Sequence, residues 1–293
     1  MHTGQPAIFL DIPTRSRYLT FAIKHPLELK NVLSGLSHMV DGTSVVMGVG
    51  IKVATTMQKE IPGLHLFPDL SKAKVPMSAT PGDLWFWLRG DDLGELLHRG
   101  RAIEVIAKPA FELINVVDGF KYGDGLDLTG YEDGTENPEG ELAEQAALMS
   151  GESAKMDGSS FVAVQQWLHN LDYFENLKQN QQDNIIGRDK LTNEEISDAP
   201  ISAHVKRVEQ DDFEPPAYVV RRSSPWIENQ QSGLMFVSFS HSFDAFEMQL
   251  SRMVGEDDGI TDALFTFSKP LTGNYYWCPP IGKEGLDLAQ LLT

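Results

Sequence analysis

Between Asp118 and Gly140 the chain gathers six glycines and seven carboxylates. Its central run, GLDLTGYEDGTENPEG, offers oxygen ligands, and calcium is the first chemistry to test. An EF-hand loop needs oxygens at alternating positions, a glycine sixth and a glutamate twelfth. Asp124, Asp127 and Asp133 do not fit that spacing. A solvated turn explains the composition equally well. Gly130 and Gly134 would also permit a sharp turn that holds Asp133 against a bound ligand. Farther on, VVRRSSPW places two guanidiniums on a strand-like segment. Alternation sends Arg221 and Arg222 to opposite faces, so one of them can enter a pocket, and a guanidinium brings a permanent charge with several donors. Among eight histidines, His204 sits in a polar stretch where surface exposure is the ordinary reading. Neutral imidazole is also a good metal ligand. Arg188 and Arg207 lie near it in an otherwise acidic chain, which points to an anionic group close by.

The segment from Gly130 to Pro138 (GYEDGTENP) resembles the GxxDGTxNP signature of dye-decolorising peroxidases. IIGRDK (185–190), SAHVKRV (202–208), VVRRSSPW (219–226), GLMFVSFS (233–240), the run from Met253 through Asp262 to Pro270, and TGNYYWCPP (272–280) are similar to family segments, in the family's order. The likeness covers most of the second half and is greatest to compact bacterial members of the B or P class.

What the resemblance implies is specific. The fold would be α+β, with two ferredoxin-like domains of the dimeric α/β-barrel type and haem in the C-terminal half. One haem b per chain would be held by His204 as the proximal iron ligand, with Asp262 as the acceptor for its other nitrogen. The alternative reading of Asp262 is a helix N-terminal charge. Asp133 and Arg221 would handle hydrogen peroxide on the opposite face, with Ser223 beside Arg221 in the R-x-S pattern and Arg222 outward. Arg188 is the first candidate for a haem propionate, and Arg207 a second. The expected activity is peroxide reduction coupled to one-electron oxidation of small organic donors such as phenols or dyes. A haem-handling protein, carrier or iron-releasing, would use the same pocket, and a non-haem binding module is a further alternative. Relatives suggest a homo-oligomer, dimer or larger.

Certain elements must position these residues. Strands are expected at Tyr18–Ile23, Ser44–Ile51, Asp83–Leu88 and Phe111–Phe120, with helices at Leu27–Met39 and Asp91–Ile106. The second half repeats the rhythm: strands at Ser160–Trp167, Ala217–Arg222 and Gly233–Ser240, a helix from Leu171, and another at His241–Val254. On that last helix Phe243, Phe246, Leu250 and Met253 share one face. The order β-α-β-β-α-β, read twice, itself suggests two ferredoxin-like units. We set them at 1–145 and 146–293. The 293 residues, 41% hydrophobic and 23% charged, describe a globular chain. A net charge of -18 disfavours nucleic acid and anionic lipid as partners. One cysteine, Cys278, excludes an intrachain disulfide. Without an export signal or a 20-residue apolar span, the cytoplasm is the expected compartment and no membrane contact is expected. Gly48-Val49-Gly50 lacks the third glycine of a dinucleotide loop.

Overall fold

The computed structural model describes residues 3–70, 73–151 and 155–293. Its first half runs β1 (Arg15–Ile23), α1 (Leu29–Ser37), β2 (Val45–Val49), α2 (Ile51–Thr56), β3 (Leu84–Gly90), α3 (Leu93–Ala107) and β4 (Phe111–Phe120). The second runs α4 (Gly140–Ala147), β5 (Ser160–His169), α5 (Leu171–Glu175), α6 (Gln179–Ile186), α7 (His204–Val208), β6 (Val220–Arg221), β7 (Ser224–Glu228), β8 (Gln231–Ser240), α8 (Asp244–Val254), β9 (Ser268–Pro270) and β10 (Asn274–Cys278).

The strands of the first half lie in the order β4-β1-β3-β2, and those of the second in the order β7-β8-β5-β10. Each is the antiparallel arrangement of a ferredoxin-like unit, as expected. The two sheets do not remain separate. β4 meets β7 at Gly119 and Trp226, and β2 meets β10 at Val49 and Trp277. With β5 paired to β8 over Phe161–Leu168, the eight strands close into a barrel, which leaves no open edge along that ring. β6 and β9 add to β8 and β5 at the margin. The boundary set at 145/146 falls inside α4.

Closure buries both faces of the sheet. Tyr18, Val46, Trp85, Trp87, Trp226, Met235 and Tyr276 form one cluster with Ala7, Ile8 and the alanines of α4. Trp85 stacks between Tyr18 and Tyr276, with ring centroids 6.3 and 5.8 Å away. The alternate residues, among them Leu19, Phe21, Met47, Phe86 and Phe161, belong to a second cluster with side chains of α1, α3 and α8. Burial on both sides is why the strand Val45–Val49 is apolar without alternation.

Several expected elements are corrected. The strand expected at 217–222 contracts to Val220–Arg221, because the chain turns at Arg222 and Ser223 to enter β7. The helix from Leu171 is two short helices, and the helix expected from His241 begins at Asp244. His204 opens α7 rather than sitting in a loop. Arg207 fastens that short helix. Its guanidinium, 2% exposed, makes two bonds to Asp258 (2.8 and 2.9 Å) and one to the Arg252 carbonyl of α8 (2.6 Å).

Two consequences can be measured. A Cβ at Gly233, where β8 lies against β5, would stand 2.0 Å from the Trp167 carbonyl oxygen. Gly233→Ala should therefore cost about 1–3 kcal/mol in urea unfolding, and an unchanged midpoint would contradict this close approach. The Arg207 bonds hold the Asp258 carboxyl down to about 2. A depressed carboxylate stabilises above its unfolded value of about 4 and loses that contribution as pH falls toward its folded value. Asp258→Asn should lower the melting temperature at neutral pH, with the deficit shrinking between about pH 4 and pH 2.

Candidate active site

The loop carrying Asp133 is built by its own sequence. Gly130 and Gly134 take φ of 85° and 80°, conformations that favour glycine. The Asp133 amide donates to the Gly125 carbonyl (3.1 Å). Asn137 then acts as a substitute strand neighbour for β6. Its Oδ1 accepts from the Arg221 amide (2.7 Å) and its Nδ2 donates to the Arg221 carbonyl (3.0 Å). A Cβ on Gly134 would meet that Asn137 Nδ2 at 2.8 Å. The motif's glycine and asparagine thus hold Asp133 and Arg221 on one cavity, which His204 also lines. α8 contributes Phe246, Leu250 and Met253 to the same wall, as their shared helical face predicts.

His204 is oriented by a bond between its Nδ1 and Asp262 Oδ2 (2.7 Å). The Asp262 side chain is fully buried. Its other oxygen accepts from the Leu264 amide (2.8 Å) and caps the short helix Ala263–Thr266. Asp262 thus makes one bond through each oxygen, one to an imidazole and one to a helix N-terminus. A carboxylate on Nδ1 fixes the proton there and leaves the Nε2 lone pair free. Among the described residues nothing in the protein bonds that Nε2.

A second histidine lines the cavity, and the sequence reading passed over it. His169 Nε2 lies 3.1 Å from Asp127 Oδ1, and its Nδ1 lies 2.7 Å from Ser268 Oγ. Both nitrogens are engaged, so His169 cannot ligate a metal without breaking a bond, whereas His204 can. Burial pushes the Asp127 carboxyl up, but the bonds from His169 and Thr129 outweigh it and hold the group below the usual range. The only sequence signal for His169 was alternation along β5, which puts it on the face of Gln165 and Trp167. His25, His38, His65, His98 and His241 do not line the cavity, and His2 lies outside the described residues.

Of the arginines, Arg221 alone enters. Among the described residues its Nε is buried without a partner. Arg222 does point to the opposite face, but that face is not solvent. Its amide donates to the Val237 carbonyl, its Nη1 donates to the Arg221 carbonyl (2.8 Å), and burial lowers its guanidinium pKa. Neither Arg188 nor Arg207 lines the cavity. Arg188 is held by Glu136 of the motif loop and by the Asn193 carbonyl (2.9 Å). Arg207 is committed to Asp258. Ser223 is buried beside Arg221, its Oγ unpartnered, and it does not line the cavity.

An imidazole with one free nitrogen, a carboxylate and an unpaired guanidinium around one cavity can bind a metal centre, move a proton and stabilise a developing negative charge. The chain is similar to dye-decolorizing peroxidases of Mycolicibacterium paratuberculosis (34% identical, over 74% of this chain and 63% of the relative) and Mycobacterium tuberculosis (33%, 74% and 67%). The match thus spans about two thirds of those relatives' length. Among solved structures it resembles a Dyp-type peroxidase protein from Shewanella oneidensis (TM-score 0.88, 29% identical, over 100% of this chain and 98% of that one). A variant of Rhodococcus jostii RHA1 DypB in complex with heme gives a TM-score of 0.86 at 26% identity, over 93% and 95%. The family model for the C-terminal part of Dyp-type peroxidases matches residues 124–283, more than half of the chain, and the chain belongs to the Dyp-type peroxidase family.

Proposed function

We propose that this chain is a haem peroxidase that binds one haem b through His204, reduces hydrogen peroxide and oxidises small organic donors such as phenols and dyes by one-electron steps. The observation that carries the reading is His204, with Nδ1 tied to Asp262 and Nε2 free, on the same cavity as Asp133 and Arg221.

The residues present fit the cofactor. Among the described residues no three His, Cys, Asp or Glu side chains converge as a site for a bare ion. Iron held here by one imidazole therefore needs a macrocycle to supply its other donors. The apolar wall of Leu234, Phe236, Phe246, Leu250 and Met253 suits a flat hydrophobic ring. Bound haem would supply the redox centre. The protein's own contribution begins with Asp262, which orients His204 and makes its free nitrogen a stronger donor. Asp133 takes the proton from one peroxide oxygen and returns it to the departing one. Arg221, with no carboxylate partner among the described residues, offers charge and donors where the departing oxygen becomes negative. A haem carrier would require the His204 anchor alone and leaves Asp133 and Arg221 unexplained.

We read residues 146–293 as the haem-binding unit, completed by the loop of the preceding unit that ends near 145. We also assign the protein to the cytoplasm as a homo-oligomer, a reading supported by the single buried thiol of Cys278 and by the family's habit of assembly. No helix among the described residues is long and apolar enough to cross a membrane.

His204→Ala should abolish tight haem binding, seen as loss of the strong near-ultraviolet haem band on titration. Asp262→Asn should keep the band but weaken haem affinity by about 10–100-fold. Retention of the same axial bond in His204→Ala would remove the foundation of this reading. Asp133→Asn and Arg221→Leu should bind haem normally yet react with peroxide about 10²–10³ times more slowly in stopped-flow absorbance. Wild-type rates in both variants would defeat their assignment.

A further inference from the structure

We propose that Asp127, His169 and Ser268 form a proton acceptor for a phenolic donor docked in the open groove on the far side of the cavity wall, an inference that rests on the peroxidase reading above. The groove is polar and runs between the start of α5, the β7–β8 turn and residues 265–269. His169, Phe267 and Ser268 line the groove and the cavity alike, so one layer of side chains separates them. Phe265, on the groove, stacks on Trp167 of the cavity at 5.6 Å and 24°. A phenol ring in the groove would thus lie against aromatic surface, one layer from the cofactor.

The hydrogen bonds through this wall have a direction. Thr129 donates its amide (3.0 Å) and hydroxyl (2.6 Å) to Asp127 Oδ2. Oδ1 then takes its proton from His169 Nε2 (3.1 Å). That leaves Nδ1 as an acceptor, and the Ser268 hydroxyl donates to it (2.7 Å). The serine oxygen keeps lone pairs for an incoming O–H. The order is therefore donor O–H, serine, imidazole, buried carboxylate.

Phenols need such an arrangement. When a phenol gives one electron to the peroxide-oxidised haem, its O–H bond breaks and a proton must leave with the electron. That proton moves to Ser268 Oγ as the serine proton moves to His169 Nδ1. The imidazolium formed is paired with the Asp127 carboxylate. With the proton on His169 and the electron taken up by the cofactor that would be bound in the cavity, a neutral phenoxyl radical would depart. His169 later returns its proton through Ser268 to water in the groove.

The test compares 4-methoxyphenol with ferrocyanide, which gives an electron and no proton. In haem-loaded His169→Gln and Ser268→Ala, kcat/KM for 4-methoxyphenol should fall about tenfold or more beyond any fall for ferrocyanide. The solvent deuterium effect on the phenol reaction should also change. Binding supplies a readout apart from turnover. By saturation-transfer NMR, 4-methoxyphenol should bind the resting protein, and Ser232→Trp, which fills the groove, should weaken that binding. Equal losses for both donors would make the triad purely structural and overturn the proposal, as would phenol binding that ignores Ser232→Trp. A wild-type protein that oxidises neither donor would instead strike at the peroxidase reading itself.

Discussion

The site depends on one buried carboxylate that serves two masters. A carboxylate removed from water costs several kcal/mol unless its oxygens are bonded. Asp262 meets this by dividing them, Oδ1 to the Leu264 amide and Oδ2 to His204 Nδ1. The first bond fixes the carboxylate on the backbone, and the second transmits that fixity to an imidazole on another helix. The Asp262 amide is itself held by the Met253 carbonyl near the end of α8. The free nitrogen of His204 thus takes its position from three elements packed on the same cavity.

Charge is allocated by the same logic. In a chain of net charge -18, several buried or half-buried cations are paired with carboxylates. Arg207 takes Asp258 and Arg188 takes Glu136. Both pairs brace elements that carry the site, α7 in one case and the Asp133 loop in the other. Asn137 bonds the Arg221 backbone, and among the described residues the Arg221 side chain has no carboxylate partner. An unpaired guanidinium facing an apolar cavity is costly to stability, and such a cost is retained where an anion or developing charge will meet it.

The histidine pair shows how local bonding separates two roles. His204 and His169 each bond an aspartate through one nitrogen and line the same cavity. What distinguishes them is the other nitrogen, open in His204 and occupied by Ser268 in His169. The first is suited to bind a metal, the second to pass a proton.

Much of the fold was legible in the residues. Apolar periodicity located the strands and helices of the first half to within a few positions, and the glycines of GYEDGTENP announced the turn at Asp133. These are short-range effects of backbone conformation and side-chain pattern. The sheet's closure was not legible, because Gly119–Trp226 and Val49–Trp277 pair across large sequence separations. Arg222, read as outward from the R-x-S pattern, is half-buried, with its amide on the Val237 carbonyl of β8. A residue's type does not reveal its partner, and Arg188 and Arg207 each bond a carboxylate far along the chain. The sequence by itself determined which groups are able to ligate, shuttle protons or hold charge. Tertiary structure alone decided which of them converge and which nitrogen of each imidazole stays free, since hydrogen-bond partners are set by proximity in space.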